Sequence, residues 1–207
     1  MPNLYVNVKY KSAIAFALTI PIVDRRIAQT SSYMIAYLFW LAVAGVPSDV
    51  DILAQIRRGN LLCVNPDMPS KTCSSTAAYA VSADGSVIET SEVLLSPDQP
   101  LTLEMSVNAE IEKGTSCGVM TMADLQKAQV RMNGEVLQPD RHAIVLKKLS
   151  EKLAPMAGQR ACDALRIEEG RLVKYGQVDK IDIKLPGKPV IWITATDEFK
   201  VAPRKSR

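Results

Sequence analysis

The chain has 207 residues, 47% apolar and 23% charged, which suits one globular domain with a real core and excludes a disordered segment. Its formal charge is +3. Four of the 25 basic and one of the 22 acidic residues lie in residues 1–44, so residues 45–207 carry 21 of each, and a neutral body argues against an electrostatically driven nucleic-acid binder.

Two apolar runs open the chain, Ala13 to Val23 and Met34 to Val46. Each is shorter than the roughly 20 residues that a membrane-spanning helix needs. The second contains Ala42-Val43-Ala44, a small-x-small pattern of the kind signal peptidase cuts, with Arg25 and Arg26 as a positive flank. This predicts an export signal over residues 1–44, of the general secretion type, with no lipobox before Cys63. The stretch ahead of the run is long for such a signal, which suggests a start placed too far upstream, with Met34 as another start. The competing readings are a buried core helix or an inner-membrane anchor. An exported chain folds in the periplasm, where cysteines can pair.

Residues 50–58, with Val50, Ile52, Leu53 and Ile56, fit a short helix stopped by Gly59-Asn60. Residues 61–64 are extended and enter a cysteine loop. The four cysteines are Cys63, Cys73, Cys117 and Cys162. An even count in an exported domain favours disulfides, and four cysteines allow three connectivities. The preferred one joins Cys63 to Cys73, because Pro66 and Pro69 already bend the segment between them, and Cys117 to Cys162. Zinc is disfavoured: no Cys-x-x-Cys occurs, and the single histidine, His142, is remote in sequence from every cysteine. No metal and no cofactor is expected.

Residues 75–95 read as a hairpin turning at Asp84-Gly85. Residues 96–100 break the strand. Leu101, Leu103, Met105 and Val107 then alternate with polar residues as a half-buried strand, and residues 112–114 turn it into 116–121. The region 75–121 is thus an antiparallel meander. Thr121 and Asp124 begin one helical turn through Lys127, although Glu or Gln is the usual partner in a capping box. Asn133-Gly134 marks a second hairpin. The main amphipathic helix covers residues 141–156, with Val145, Leu146, Leu149, Leu153 and Met156 on one stripe and Lys147, Lys148, Glu151 and Lys152 opposite. Strands follow at 161–168 and 171–176, around Glu169-Gly170. Ile181, Ile183 and Leu185 alternate, residues 186–189 turn, and 190–195 form the most apolar strand. The fold class is α+β: a single disulfide-stabilised domain over 45–207, an antiparallel sheet or meander with one main helix packed on it.

Searches for chemistry return little. No nucleophile elbow, phosphate loop or dinucleotide fingerprint is present. His142, beside Arg141 near the start of the main helix, reads as a solvent-facing or N-terminal-turn residue and not a base. Glu168-Glu169 lies in a turn. Glu89, Glu92, Glu104 and Glu110 lie on strands whose exposed faces normally carry charge, so they read as solvated and not as a glycosidase-like dyad. Tyr79, Tyr175, Trp192 and Phe199 read as core on a sheet. Met105, Met120, Met122, Met132 and Met156 read as core filler. Lys200, Arg204, Lys205 and Arg207 read as a frayed, solvated tail. No catalytic residue is identified.

One resemblance stands out. Cys63, Pro66, Lys71-Thr72-Cys73, Tyr79, Asp84-Gly85, Glu92-Val-Leu-Leu, Leu103-Glu104, Cys117-Gly118 and the ending Trp192, Asp197-Glu-Phe199-Lys-Val-Ala-Pro203 follow a spacing. That spacing is similar to that of uncharacterised exported proteins of sphingomonads and related alphaproteobacteria, over about residues 60–203. The resemblance implies export and paired cysteines and supplies no site. The expected function is therefore a non-enzymatic binding or envelope-accessory domain, with an envelope protein or a small molecule as partner and no nucleic acid. The rivals are an enzyme assembled from scattered acidic and hydroxyl residues and a membrane-anchored envelope protein.

Overall fold

The computed structural model describes residues 50–179 and 183–204, with backbone alone at 183 and 184. The expected export signal, the alternative start at Met34, Ile181, Lys205 and Arg207 lie outside the described residues.

The chain is α+β with the sheet dominant. Its central feature is a closed barrel of eight antiparallel strands: β1 (Leu61–Val64), β3 (Ser75–Val81), β4 (Val87–Leu94), β5 (Leu101–Glu112), β6 (Thr115–Val119), β9 (Arg160–Glu168), β10 (Arg171–Val178) and β12 (Lys188–Ile193). Around the barrel they run β4-β3-β1-β12-β10-β9-β6-β5, and β5 pairs back to β4. The expected meander over 75–121 is present locally as β3 to β6. It does not end in a free edge, because β12 pairs with β1 and β9 with β6. Closure removes the unpaired backbone groups that an open meander would expose.

The hairpins follow from local chemistry. Asn133 and Gly134 have φ of 56° and 84°, and Glu169 and Gly170 have φ of 50° and 75°. Two successive residues in that region make the mirror-image turn that matches strand twist, and glycine takes the second position without a steric cost.

Strand β5 forks the sheet. Its second half pairs with β6, while its first half pairs with β7 (Gln129–Met132), which leads on to β8 (Glu135–Val136) outside the barrel. Two helices pack on this extension: α2 (Met122–Lys127) and α3 (Pro139–Leu153). Leu125 and Val130 are fully buried there with Leu103 and Ala128, and Val145, Leu146, Leu149 and Leu153 of α3 pack against them. The Thr121 hydroxyl accepts from the Asp124 amide at 3.1 Å while the Asp124 carboxylate accepts from the Thr121 amide at 2.9 Å, so aspartate completes the box here. Helix α3 starts at Pro139, earlier than expected, because proline suits the first helical position. It ends at Leu153, and Ala154–Met156 continue as a 3-10 turn.

The helix α1 (Ile52–Arg57) enters where β1 begins, which is the end where β3 turns into β4 and β5 into β6. Ile52 and Ile56 pack inside against Leu62, Val64, Ala77, Leu165 and Val190. Outside β1 and β12 lies a small second layer of β2 (Thr72–Cys73) and β13 (Lys200–Val201), which pair in parallel, a departure from the all-antiparallel expectation. The expected turn at 186–189 is shorter: Lys188 and Pro189 already belong to β12 and pair with β10. One more short strand, β11 (Ile183–Lys184), pairs with β10.

Two disulfides brace the walls, Cys63–Cys73 and Cys117–Cys162. The first is buried between the barrel and the outer layer, against Ile193 and Phe199. The second joins directly opposed residues of β6 and β9. Such bonds persist in oxidising surroundings. Among the described residues no helix is long and apolar enough to cross a membrane.

Candidate functional site

Strand alternation assigns the inner face of the barrel. Leu62, Ala77, Tyr79, Ile111, Leu165, Leu172, Val190 and Trp192 pack in one apolar cluster, so each marks the inward parity of its strand. The registers carry that parity around the barrel. Tyr79 stands opposite Glu89, Ser116 opposite Asp163, and Lys174 opposite Leu165. Glu89, Ser91, Ser116, Asp163 and Lys174 therefore share the interior with the apolar cluster.

These side chains form two hydrogen-bonded groups side by side, since Ser116 stands opposite Asp163. Ser91 donates to Glu89 Oε1 at 2.8 Å, and Ser116 donates over the intervening β5 to Glu89 Oε2 at 3.0 Å. The Lys174 ammonium bonds Asp163 Oδ2 at 2.6 Å from the neighbouring strand. The Tyr79 hydroxyl adjoins Glu89 and Ser116. Burial, followed by the charge of Glu89, pushes its phenol above the ordinary value, so it remains a neutral donor. The layer is not sealed: the side chains of Asp163 and Lys174 keep 35% and 20% of their exposure. Solvent thus reaches Asp163 and Lys174, while Leu62 of β1 and Val190 of β12 are buried. The Trp192 indole N–H is buried with no partner among the described residues.

The Glu89 reading is thereby corrected. Its carboxylate is half-buried inside the barrel and not on a solvated face. The signal was present: a hairpin turning about Asp84 sets Glu89 opposite Tyr79, and Tyr79 was already read as core. Glu92 and Glu104 also differ from a simple solvated pair. They face each other outside the barrel; Glu92 accepts from the buried Thr102 hydroxyl at 2.7 Å, and Glu104 pairs with Arg131 at 3.3 Å. Glu110 is exposed and pairs with Arg160 at 3.3 Å.

The other candidates are dispersed. His142 lies in the first turn of α3 and is half-buried; it donates from Nε2 to the Ala128 carbonyl at 3.1 Å, latching α3 to the start of β7. Tyr175 lies on the outer wall, where its hydroxyl donates to Glu168 and the Arg166 guanidinium sits 5.4 Å from its ring centre. Phe199 packs on the outer layer beside Cys73. Met105 and Met122 pack around Leu125. In the tail, Arg204 is tied down and not frayed: it donates to the Asn65 carbonyl at 3.2 Å. Among the described residues no group of three His, Cys, Asp or Glu is placed to hold a metal ion.

Comparison of the chain with family models, curated proteins and solved structures gives no match.

Proposed function

We propose that this chain is an exported, periplasmic, non-enzymatic domain that binds a small molecule in its barrel. The observation that carries the reading is the set of charged residues Glu89, Asp163 and Lys174 on the inner face, with solvent reaching Asp163 and Lys174 and an apolar wall of β3, β1 and β12 beside them. An apolar lining with a few convergent polar groups is the usual chemistry of a small-molecule site. An eight-stranded barrel is wide enough to be filled by side chains or to hold one small ligand. Charge is costly to keep inside a fold, and hydrophobic replacements of similar volume are often more stable, so a charged interior is best explained by use. The export part rests on the two disulfides, which favour an oxidising compartment. The resemblance to exported proteins of sphingomonads points the same way.

An enzymatic reading has one observation behind it, the approach of the Ser116 hydroxyl to the Glu89 carboxylate at 3.0 Å. The neighbouring Lys174 is tied to Asp163, and no imidazole is near, since His142 is held by Ala128. Binding is the better supported of the two.

The test is purification from the periplasm followed by native and denaturing intact mass. The expected result is a chain cut after Ala44, with both disulfides closed and a small molecule lost on denaturation. A full-length chain in the cytosol with free thiols would overturn the export part. A barrel that neither retains nor takes up any small molecule would overturn the binding part.

A further inference from the structure

We infer that the ligand of this barrel is a small organic cation, held through an ammonium group by Glu89. This rests on the binding reading above and adds the chemistry of the ligand. The inner layer presents two carboxylates, Glu89 and Asp163, and Lys174 is committed to Asp163 at 2.6 Å. Glu89 is left with neutral donors, the hydroxyls of Ser91 and Ser116 at 2.8 and 3.0 Å. Among the described residues no cation pairs with it: the four ion pairs there are Lys71–Glu198, Arg131–Glu104, Arg160–Glu110 and Lys174–Asp163. A half-buried carboxylate without a counter-charge is costly, and a bound cation removes that cost.

The surroundings of Glu89 favour an ammonium over a bare ion. Tyr79 stands directly opposite it, and Trp192 packs on the same apolar cluster as Tyr79. Aromatic rings attract organic cations through their faces, while the apolar cluster receives the carbon skeleton. A metal ion would want several oxygen ligands, and no group of three acidic, His or Cys side chains is assembled among the described residues. Lys188 stands opposite Lys174 on the same inner face. Its positive charge restricts the ligand to a compact cation beside Glu89 and disfavours an extended polyamine.

The experiment is titration calorimetry on the disulfide-closed protein with choline and ethanolamine, against ethylene glycol and acetate as neutral and anionic probes. Saturable binding of at least one cation, and of neither control, is expected, with affinity reduced at least tenfold in Glu89→Gln. Near-UV circular dichroism and intact mass establish that the variant is folded and bridged. Ser106→Ala, on the outer wall, should bind as the parent does. Equal cation binding by Glu89→Gln, or preference for acetate or glycol, overturns the inference. If native mass finds a neutral or anionic ligand, the barrel is still a binding site and this inference alone fails. If no molecule of any class binds, both readings fall.

Discussion

The two halves of the barrel interior are built on opposite principles. The wall of β3, β1 and β12 is lined by Leu62, Val64, Ala77 and Val190, all buried, with Ile52 and Ile56 of α1 packed on them. The wall of β4, β6, β9 and β10 presents Glu89, Ser116, Asp163 and Lys174, with Ser116 bonded to Glu89 and Lys174 to Asp163. Each half has its own disulfide outside the wall. Cys63 lies between Leu62 and Val64, behind the apolar half. Cys117 and Cys162 adjoin Ser116 and Asp163, behind the charged half. The apolar and the charged linings are thus separated around the barrel wall. The apolar half gains free energy from every side chain it removes from water. The charged half gains less from burial, and a covalent bond adds to the backbone ladder that sets β6 against β9.

The largest effect is therefore expected at Cys117–Cys162. Its bridge spans 45 residues, against 10 for Cys63–Cys73. Chain entropy alone assigns about 4 kcal/mol to the first and about 3 kcal/mol to the second. Urea unfolding of Cys117→Ser/Cys162→Ser and of Cys63→Ser/Cys73→Ser compares them. The charged-half pair should also lose cation binding, while the other pair, if folded, should keep it. The reverse pattern would show that the charged layer needs no external brace.

Next comes Leu62→Ala, which removes a side chain only 2% exposed in the apolar cluster. A loss of about 3 kcal/mol is expected from transfer and cavity terms together. The midpoint of urea unfolding reads it. A loss below about 1 kcal/mol would mean that the apolar half is not what holds the fold.

Much of this fold was legible in the sequence, for reasons that particular residues make clear. Asp84-Gly85 and Asn133-Gly134 fix hairpins by backbone preference, and the stripe from Val145 to Leu153 fixes a helix face. These are local facts. The closure of the barrel is not local: β1 meets β12 across more than a hundred residues, and alternation in either strand says nothing about its partner. The charged layer was hidden by a symmetric ambiguity. Along β4 the inward Val87, Glu89 and Ser91 and the outward Ile88, Thr90 and Glu92 have the same polarity, so period two could not choose a face. Only the register to Tyr79 decides it.

The charged half itself should respond weakly. Lys174→Met strands Asp163, but solvent reaches both groups, so about 1 kcal/mol is expected in place of the several kcal/mol of a dry pair. Adding Asp163→Asn should recover most of it, as measured by the urea midpoint of the double variant. If the double variant is worse than the single, the two residues support the fold independently of their pairing.

The smallest effect lies outside the barrel interior and calibrates the comparison. Three aspartates, Asp84 and Asp197 exposed and Asp124 partly so, hold turns or caps. Asp84 accepts from the Ser86 amide and hydroxyl, Asp124 from the Thr121 hydroxyl and amide, and Asp197 from the Thr194 amide and hydroxyl. These bonds hold each carboxyl below its ordinary value of 3.8. A depressed folded value means that the unfolded chain takes up protons first as pH falls. The contribution is whole above that ordinary value and is lost as pH drops through the folded one. Thermal midpoints measured between pH 6 and pH 2 should therefore stay level and then fall at the acid end. In the triple variant Asp84→Asn/Asp124→Asn/Asp197→Asn the acid-end slope should flatten. An unchanged slope would show that these three carboxylates are not the source of the acid sensitivity.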